Sequence, residues 1–475
     1  MRKPDHFESH FGLDDARLGR VIAAAMQRGG DFCDLFFQQR TSNAIGLEDN
    51  EVNRAHRSVG VGVGIRVVQG DTTGYAFSEE LEERSMIEAA VAASGIASGG
   101  GQRVTPPVAI RSSKTLDLYP VQTGWGEVTV ERKLPLLQRI NQRAFAMDSR
   151  IQKVRVRLAD AESHVLVVDS DGRKAYDYRP MAVLFAQCVA QDGERLEENY
   201  HNIGGRFGVE YFTDALVDEV ADEAARRTLL LFEAVRPTAG EMPVVLAAGS
   251  SGILLHEAIG HGMEADFNRK GISIYADSVG QSIAEPFVSI VDDGTVPGSR
   301  GAINVDDEGN AVQRTVLVER GVLRTFMHDR ISAGRYGVEP TGNGRRESFR
   351  HAPLPRMRAT YMEAGPHQRE EIIRSVERGI YAVSFTNGQV QIGAGDFTFY
   401  IKTGYLIEQG KLTAPIKDVN LIGNGPQVLR DVTMVGDDLE LDRGGWTCGK
   451  DGQSVPVSLG MPTVKVRAIT VGGIG

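Results

Sequence analysis

The chain has 475 residues, 41% hydrophobic and 24% charged, which is an ordinary balance for a globular protein of about three domains. Its formal net charge of −10 opposes contact with a phosphate backbone, so we expect no nucleic-acid partner. No apolar segment reaches the roughly 18 residues of a membrane span, and the N-terminal sequence MRKPDHFESHFG lacks the apolar core of a secretory signal. The cysteines Cys33, Cys188 and Cys448 lie far apart and are odd in number, which argues against a disulfide framework. These features predict a soluble, cytoplasmic protein with no membrane partner.

The first predicted unit, residues 1–100, combines helices and strands. Apolar spacing predicts one helix in DDARLGRVIAAAMQRG and a second over residues 78–97. Four strand-like runs lie between them: DLFFQQR, SNAIGLEDNEV, SVGVGVGIRVVQG and TTGYAFS. In the third run Gly60, Gly62 and Gly64 leave one face without side chains, which lets another backbone approach. Tight packing within the chain is favoured there over a partner chain or a substrate peptide.

Residues 101–125 are rich in Gly, Pro and Ser, and we interpret them as a linker or a surface arm. A central unit over residues 126–236 follows. It is predicted to contain a helix near residues 128–147, antiparallel strands joined at the turns DSDG and QDG, and a long final helix, TDALVDEVADEAARRTLLLFEAV.

The third unit, residues 240–475, begins with the strand EMPVVLAAG, a helix and then many short strands with glycine-rich turns, interrupted by a helix in EEIIRSVERGI. The predicted fold class is α+β and multi-domain. Two N-terminal α/β sandwich-like units precede a larger, β-rich C-terminal domain that carries the helix described next.

The segment LLHEAIGHGMEADFNRKG, residues 254–271, is predicted to form a single helix of about 18 residues. Ser250 and Ser251 are expected to cap its start, and Gly271 to mark its end. His256 and His261 are five positions apart, which places them about 140° apart on an ideal α-helix, too far to share one ion. A π turn of about 4.4 residues would reduce the angle to about 50°. We therefore predict a bulge or an early break within residues 258–262, where Gly260 and Gly262 tolerate irregular backbone.

Glu257 follows the first histidine, as in the H-E-x-x-H motif of zinc proteases, where the glutamate acts as general base. The alternative to a metal site is a partly buried helix whose histidines only form hydrogen bonds. A third ligand is not obvious, because Glu264 and Asp266 lie too far along an unbroken helix. Cys448, in GGWTCGKDGQSVPVS, is a candidate because the ammonium of Lys450 would favour its thiolate, although a lone cysteine is more often a small core residue.

In this order, HEAIGHGMEADFNRKG, TGNGRRESFRHAPLPRMRATYM and TCGKDGQSVPV resemble the TldD family of metallopeptidases over the whole chain. The resemblance implies that His256, His261 and Cys448 are zinc ligands and that Glu257 is the catalytic base. It also implies a catalytic subunit that cleaves unfolded peptides, with a Zn²⁺ that activates water and polarises the carbonyl. A heterodimer with a paralogous TldE (PmbA) subunit is expected, and a homodimer is the alternative.

Three functions remain open on the sequence: a metallopeptidase, a binding or regulatory subunit with a structural metal, and a metal-free cysteine hydrolase. Closed zinc sites normally have four protein ligands, and only three are found, which favours catalysis. The same ligand set would also hold Fe²⁺. The segment TGNGRRESFR, residues 341–350, is predicted to be a solvated loop, with a site for a substrate carboxylate near the metal as the alternative. Weak candidates for an oxyanion partner are Arg345, Arg346, His328 and His351.

Overall fold

The computed structural model describes residues 5–97 and 108–473, and it confirms an α+β chain of several units with a large β-rich C-terminal region. The elements up to residue 230 alternate long strands with amphipathic helices. In chain order they are α1 (His6–Phe11), α2 (Asp15–Met26), β1 (Phe32–Glu48), β2 (Glu51–Gln69), β3 (Thr72–Ser78), α3 (Glu83–Ala97), β4 (Arg111–Ser112), α4 (Val130–Met147), β5 (Ile151–Asp169), β6 (Arg173–Asp192), β7 (Arg195–Gly205) and α5 (Asp214–Leu230).

The strands of the first two predicted units form one sheet. Its order is β3-β2-β1-β5-β6-β4, and β7 pairs with β6 as well. Strand β1 pairs antiparallel with β2 on one side and with β5 on the other, so the sheet continues across the predicted boundary. The runs DLFFQQR and SNAIGLEDNEV, predicted as separate strands, belong mostly to the single strand β1, which is a correction. The domain boundaries themselves stay a prediction.

The two faces of this sheet have different partners, because successive side chains of a strand point to opposite faces. Leu35 and Leu166 point to the face that α2 and α3 cover, and the helices α4 and α5 cover the same face further along. Phe36 and Val165 point the other way and pack with Phe349, which belongs to the C-terminal region. The sheet therefore separates its own helices from the C-terminal region.

Two of the alternating glycines of β2, Gly62 and Gly64, allow these two regions to pack closely. A Cβ on Gly62 would lie 2.3 Å from the ring of Phe349, and a Cβ on Gly64 would lie 2.5 Å from the Phe349 carbonyl oxygen. The expectation of tight packing within the chain is confirmed, since any larger side chain would displace the segment that bears Phe349.

The predicted arm over residues 101–125 is only partly described, since residues 101–107 lie outside the described ranges. Further on, β4 pairs in parallel with the edge of β6. The amide of Leu118 donates to Asn304 Oδ1 at 2.9 Å. This part of the arm thus joins the sheet to the C-terminal region.

The C-terminal region consists mainly of short strands. Its elements are β8 (Gly240–Leu246), α6 (Gly252–Leu255), α7 (Ala265–Arg269), β9 (Ile290–Asp293), β10 (Arg314–Glu319), β11 (Val322–Leu323), α8 (Arg330–Tyr336), β12 (Gly344–Arg345), β13 (Leu354–Pro355), β14 (Ala359–Met362), α9 (Arg369–Arg374), β15 (Arg378–Gln391), β16 (Asp396–Glu408), β17 (Lys411–Ile416), β18 (Val419–Asn424), α10 (Gly425–Arg430), β19 (Val432–Val435), β20 (Glu440–Leu441), β21 (Thr447–Lys450), β22 (Gln453–Pro456), β23 (Ser458–Met461) and β24 (Val464–Gly473).

Two larger sheets and a shared apolar core organise this region. One sheet has the order β11-β10-β9-β14-β23-β20. In the other, β15-β8-β24-β18-β16-β17, a further β15–β16 pairing closes five strands into a ring, and β19 pairs with β24. Side chains from α6 and the residues after it lie in the core between them. The helix predicted in EEIIRSVERGI is shorter than expected, because the chain from Arg378 onward pairs with β16. Within the described ranges, no helix has the length and apolar character required to cross a membrane.

Candidate metal centre

The segment with both histidines is not one helix. It forms the short helix α6, a π turn over His256–Gly260, a 3₁₀ turn over His261–Met263 and then α7. The predicted irregularity is confirmed, whereas the predicted continuous helix is wrong. The π turn brings the imidazole rings of His256 and His261 together, with centroids 5.2 Å apart and planes inclined at 82°.

Packing explains the break better than glycine flexibility does. Gly260 has ordinary helical dihedrals, but a Cβ there would lie 2.2 Å from Met357 Sδ, so the glycine is needed for close packing. The helix ends because Glu264 is extended, with φ −75° and ψ 122°, where the chain pairs with Met327. The predicted serine cap is also wrong: Ser251 makes no capping bond, and its hydroxyl lies 3.3 Å from the Ala382 carbonyl instead.

Cys448 reaches the histidines on the hairpin formed by β21 and β22. Its Sγ lies 3.4 Å from His261 Nε2. One nitrogen of each histidine and this sulfur all lie within 4.8 Å of one another, and the three residues are buried. Arg356 holds the hairpin in place by donating from Nη2 to the Cys448 carbonyl at 2.6 Å. The structure therefore brings together the three residues that the sequence offers as ligands.

The charges of this cluster favour a thiolate. Burial alone would raise the pKa of Cys448, but the adjacent His256 and His261 hold it well below its usual range. Burial would lower the pKa of His261, but Glu264 and Cys448 raise it well above its usual range. A thiolate is the form of cysteine that binds a metal, so the site supplies this donor without an external base.

Glu264 is a functional candidate that the sequence reasoning dismissed. Its Oε2 lies 2.9 Å from His261 Nδ1. An ionised carboxylate only accepts hydrogen bonds, so this contact places a proton on Nδ1. When the ring gives up its second proton, as metal binding requires, the lone pair of the neutral ring is on Nε2, toward Cys448. Burial alone would raise the pKa of Glu264, but Lys450 and His261 together lower it to about 2, so it is ionised.

Lys450, which the sequence suggested as a neighbour of the Cys448 thiolate, bridges two carboxylates. Its Nζ lies 2.7 Å from Asp266 Oδ1 and 3.1 Å from Glu264 Oε2. The prediction of a straight helix excludes Asp266 and Glu264 from the site, whereas the break at residue 264 places both within reach of Lys450. The sequence does contain a signal for this arrangement: Glu264 and Asp266 follow soon after His261, and Lys450 comes two positions after Cys448.

A cleft of about 1040 Å³ opens beside the cluster, lined by Glu257, His261 and Lys450. Glu257 Oε2 lies 3.8 Å from His261 Nε2, and its side chain is 22% exposed, whereas Cys448 is only 2% exposed. Segments of β15 and β16, residues 388–392 and 396–398, form another wall. Glu257 is thus the acidic residue of the cluster that a bound molecule in the cleft would meet.

The remaining candidates from the sequence lie elsewhere. Among the described residues that line the cleft, none is Arg345, Arg346, His328 or His351. The segment TGNGRRESFR is not a solvated loop, because Arg345 and Arg346 are almost fully buried between the sheet and the C-terminal region. That expectation is corrected, and the two arginines line a different cavity.

The donor set fits a metal ion. Two imidazoles and a thiolate, all buried and within reach of one centre, suit Zn²⁺ and soft divalent ions. In addition, Nδ1 of His256 has no hydrogen-bond partner among the described residues, unlike a histidine held as an ordinary part of a core. The hydrogen bond from His261 to Glu264 is of the kind that fixes the ring of a metal-ligating histidine.

Comparisons with known proteins agree over the whole chain. Family models described as PmbA/TldA metallopeptidase domain 1, central domain and C-terminal domain match residues 33–97, 124–232 and 239–473. A protein of Haemophilus influenzae named "Metalloprotease TldD homolog" is 41% identical over 97% of each chain. One of Saccharolobus solfataricus named "Zinc metalloprotease TldD homolog" is 27% identical over 96% of this chain and 99% of its own.

Two solved structures share the fold. A protein from Thermotoga maritima has a TM-score of 0.79 at 20% identity, covering 96% of this chain and 100% of its own. TldE from Thermococcus kodakarensis has a TM-score of 0.74 at 18% identity, with the same coverage. Because the family models and a relative at 41% identity cover nearly all of the sequence, this chain belongs to the PmbA/TldD metallopeptidase family.

Proposed function

We propose that this chain is a zinc-dependent peptidase that hydrolyses unfolded or extended peptides. The observation that carries the proposal is the buried convergence of His256, His261 and Cys448 directly beside Glu257, which lines an open cleft. Family membership supports a metal-dependent peptidase independently of this geometry, since relatives over the full length are named metalloproteases.

In this proposal each residue has a separate task. The two imidazoles and the Cys448 thiolate would hold the ion, and Glu264 would keep His261 in the tautomer that leaves Nε2 free. The bound ion would supply Lewis-acid polarisation of a peptide carbonyl and acidify water. Glu257 accepts a proton from the attacking water and delivers it to the departing amine, as its position at the cleft surface next to His261 permits.

The cleft suits an extended chain better than a folded one. At about 1040 Å³ it is large for a small ligand, and its walls are strand segments from β15 and β16 together with the β21 hairpin. Single peptide segments fit a cleft with such walls, while a folded domain would first have to unfold locally.

Two other functions are less well supported. A metal-stabilised binding subunit would be expected to close its site with a fourth protein ligand, yet three donors converge here and an acidic side chain faces the cleft. A metal-free cysteine hydrolase would need an accessible nucleophile, but Cys448 is 2% exposed. We assign zinc because of the tetrahedral N/S preference of that ion, with Fe²⁺ as the alternative.

The partner and the compartment belong to the same proposal. We infer a heterodimer with a TldE-type subunit, because the chain shares its fold with TldE from Thermococcus kodakarensis. A homodimer is the alternative. The three cysteines are free and buried and the net charge is −10, which agrees with a reducing cytoplasm and with the absence of a nucleic-acid partner.

Glu257→Gln tests the proposed mechanism. The variant should keep its metal, because Glu257 is not one of the three converging donors, while hydrolysis of an unfolded peptide falls by about 10²- to 10⁴-fold. Glu319→Gln, which removes an exposed ion pair with Arg324, serves as the matched control and should be fully active. If metal-loaded Glu257→Gln hydrolyses the peptide at the wild-type rate, the role of this glutamate is refuted. If the wild-type protein is active without metal, the metal-dependent mechanism is refuted and the cysteine mechanism remains.

A further inference from the structure

A second cavity lies on the other side of the Cys448 hairpin, between the first sheet and the C-terminal region. It has a volume of about 260 Å³ and is lined by six arginines and two carboxylates. The arginines are Arg40, Arg179, Arg206, Arg300, Arg345 and Arg346. This concentration of positive charge is unusual for a chain whose net charge is −10.

The two carboxylates of the lining are already engaged. Asp307 Oδ1 accepts from Arg179 Nη1 at 2.5 Å, and Glu347 Oε2 accepts from the Ser454 amide at 2.6 Å. Arg346 pairs with Asp34, which does not line the cavity and is shared with Arg66. Hence the carboxylates near the cavity offset only part of its positive charge.

Three of the arginines are buried without a carboxylate partner. Within the described part of the chain, Arg206, Arg300 and Arg345 form no ion pair, and each is 6% exposed or less. Among the described residues, Arg345 donates to two carbonyls, those of Met357 at 2.6 Å and Pro456 at 2.7 Å. Buried charges in proteins are normally paired, so three unpaired guanidinium groups around one cavity call for a ligand.

Unsatisfied donors point to the same conclusion. Nε of Arg206 and both Nε and Nη1 of Arg346 are buried and have no hydrogen-bond partner among the described residues. Burial lowers the pKa of Arg345 to about 9, although Asp307 acts in the opposite direction, and burial with the neighbouring Arg206 and Arg40 lowers the pKa of Arg300 to about 10. The planar guanidinium fork matches the oxygens of phosphate and carboxylate groups.

This cavity is separate from the cleft of the candidate metal centre. The two share no lining residue within the described ranges. Along β21, Thr447 lines the arginine cavity and Lys450 lines the cleft, so the hairpin forms a wall between them. A ligand in the arginine cavity is therefore distinct from a peptide in the cleft.

The arginines also hold the hairpin that bears Cys448. Arg300 donates from Nε to the Trp446 carbonyl at 3.0 Å and from Nη2 to Thr447 Oγ1 at 3.3 Å. Arg345 binds the carbonyl of Pro456, the residue paired with Thr447 across the hairpin. An anion that neutralises these arginines would steady the base of the hairpin.

We propose that this cavity is a binding site for a small polyvalent oxyanion, of the phosphate or polycarboxylate kind. The volume of about 260 Å³ lies below that of pockets for drug-sized ligands, so a compact anion with several oxygens fits and a peptide does not. Arg40, which is exposed, gives the cavity a charged rim through which such an anion enters.

The test is isothermal titration of the full-length, metal-loaded protein in a phosphate-free buffer. Inorganic phosphate, pyrophosphate and citrate are the probes, and sodium chloride at matched ionic strength is the blank. We expect saturable binding of at least one probe at one site per chain, with a rise in melting temperature beyond that in chloride. Tightest binding of pyrophosphate or phosphate assigns a phosphoryl ligand, and tightest binding of citrate assigns a carboxylate ligand.

Variants locate the site. Arg300→Gln should weaken binding at least tenfold and abolish the anion-dependent rise in melting temperature. Arg40→Gln changes an exposed side chain that does not contribute to a core, so it should fold in any case and weaken binding severalfold. Arg236→Gln, which removes an exposed arginine paired with Asp418, should bind as wild type does. The proposal is overturned if none of the three probes binds more strongly than chloride, or if Arg40→Gln and Arg300→Gln both bind as wild type does.

Discussion

Replacing Glu264 tests whether this buried carboxylate prepares His261 for a metal ion. The pKa of Glu264 is about 2 instead of the usual 4.5, lowered by Lys450 and His261 against the effect of burial. This difference corresponds to about 3 kcal/mol in favour of the ionised carboxylate. Glu264→Gln keeps an acceptor for the Nδ1 proton but removes the charge, so zinc affinity should fall about tenfold. Glu264→Ala also removes the acceptor and should lower affinity by up to about 100-fold.

Zinc affinity is measured by competition with a chromophoric chelator at pH 7. Asp266→Asn is the matched control, because Asp266 shares the Lys450 contact at 2.7 Å but is not hydrogen-bonded to His261 among the described residues. Its zinc affinity should change by less than about threefold. If both Glu264 variants fold, as judged by circular dichroism, and bind zinc as wild type does, the orienting role of Glu264 is refuted.

Two further predictions concern stability. Gly260→Ala places a methyl group 2.2 Å from Met357 Sδ and should lower the free energy of unfolding in urea by about 1–3 kcal/mol. Gly334→Ala is the control and should not lower it, because the space around its Cβ is open. Equal stability of the two variants would contradict the packing argument. Burial, together with Arg227, lowers the pKa of His201 to about 3, so below pH 6.5 the unfolded chain binds a proton that the folded chain does not. The contribution of the neutral His201 to the free energy of unfolding is present above pH 6.5 and is lost as pH falls, by up to about 1.4 kcal/mol per pH unit. The free energy of unfolding of His201→Gln should therefore fall less than that of wild type between pH 6.5 and 5. The same dependence of the free energy of unfolding on pH in wild type and variant, measured by urea unfolding, would contradict this prediction.

The irregular turn between the histidines could be predicted because it follows from angles alone. Five residues on an α-helix separate two side chains too widely for a common centre, and a π turn removes the difference. What stops the helix at Glu264 could not be predicted in this way. The stop depends on pairing with Met327, more than 60 residues further along, and on the Asn268 side chain, which donates to two carbonyls of the turn.

Contacts between distant segments account for the other differences. Cys448 and His261 are 187 positions apart, so the residues around Cys448 make it only a candidate third ligand, and the resemblance to a family is what pairs it with the histidines. The segment TGNGRRESFR has the composition of a solvated loop, but Arg345 and Arg346 are buried, where they donate to the Met357 carbonyl and to Asp34 from other segments. In the same way, β1 pairs with β5 over a separation that no local pattern reveals.

The central claim is that Cys448 completes a metal site with the two histidines. The most direct measurement is metal content by mass spectrometry on wild type, Cys448→Ala and Cys188→Ala, beside hydrolysis of an unfolded peptide. Cys188 is the matched control, because it is also a buried free cysteine but lies on β6, away from the histidines. We predict about one zinc per chain in wild type and in Cys188→Ala, and loss of both zinc and hydrolysis in Cys448→Ala. Full zinc occupancy in Cys448→Ala would contradict the claim.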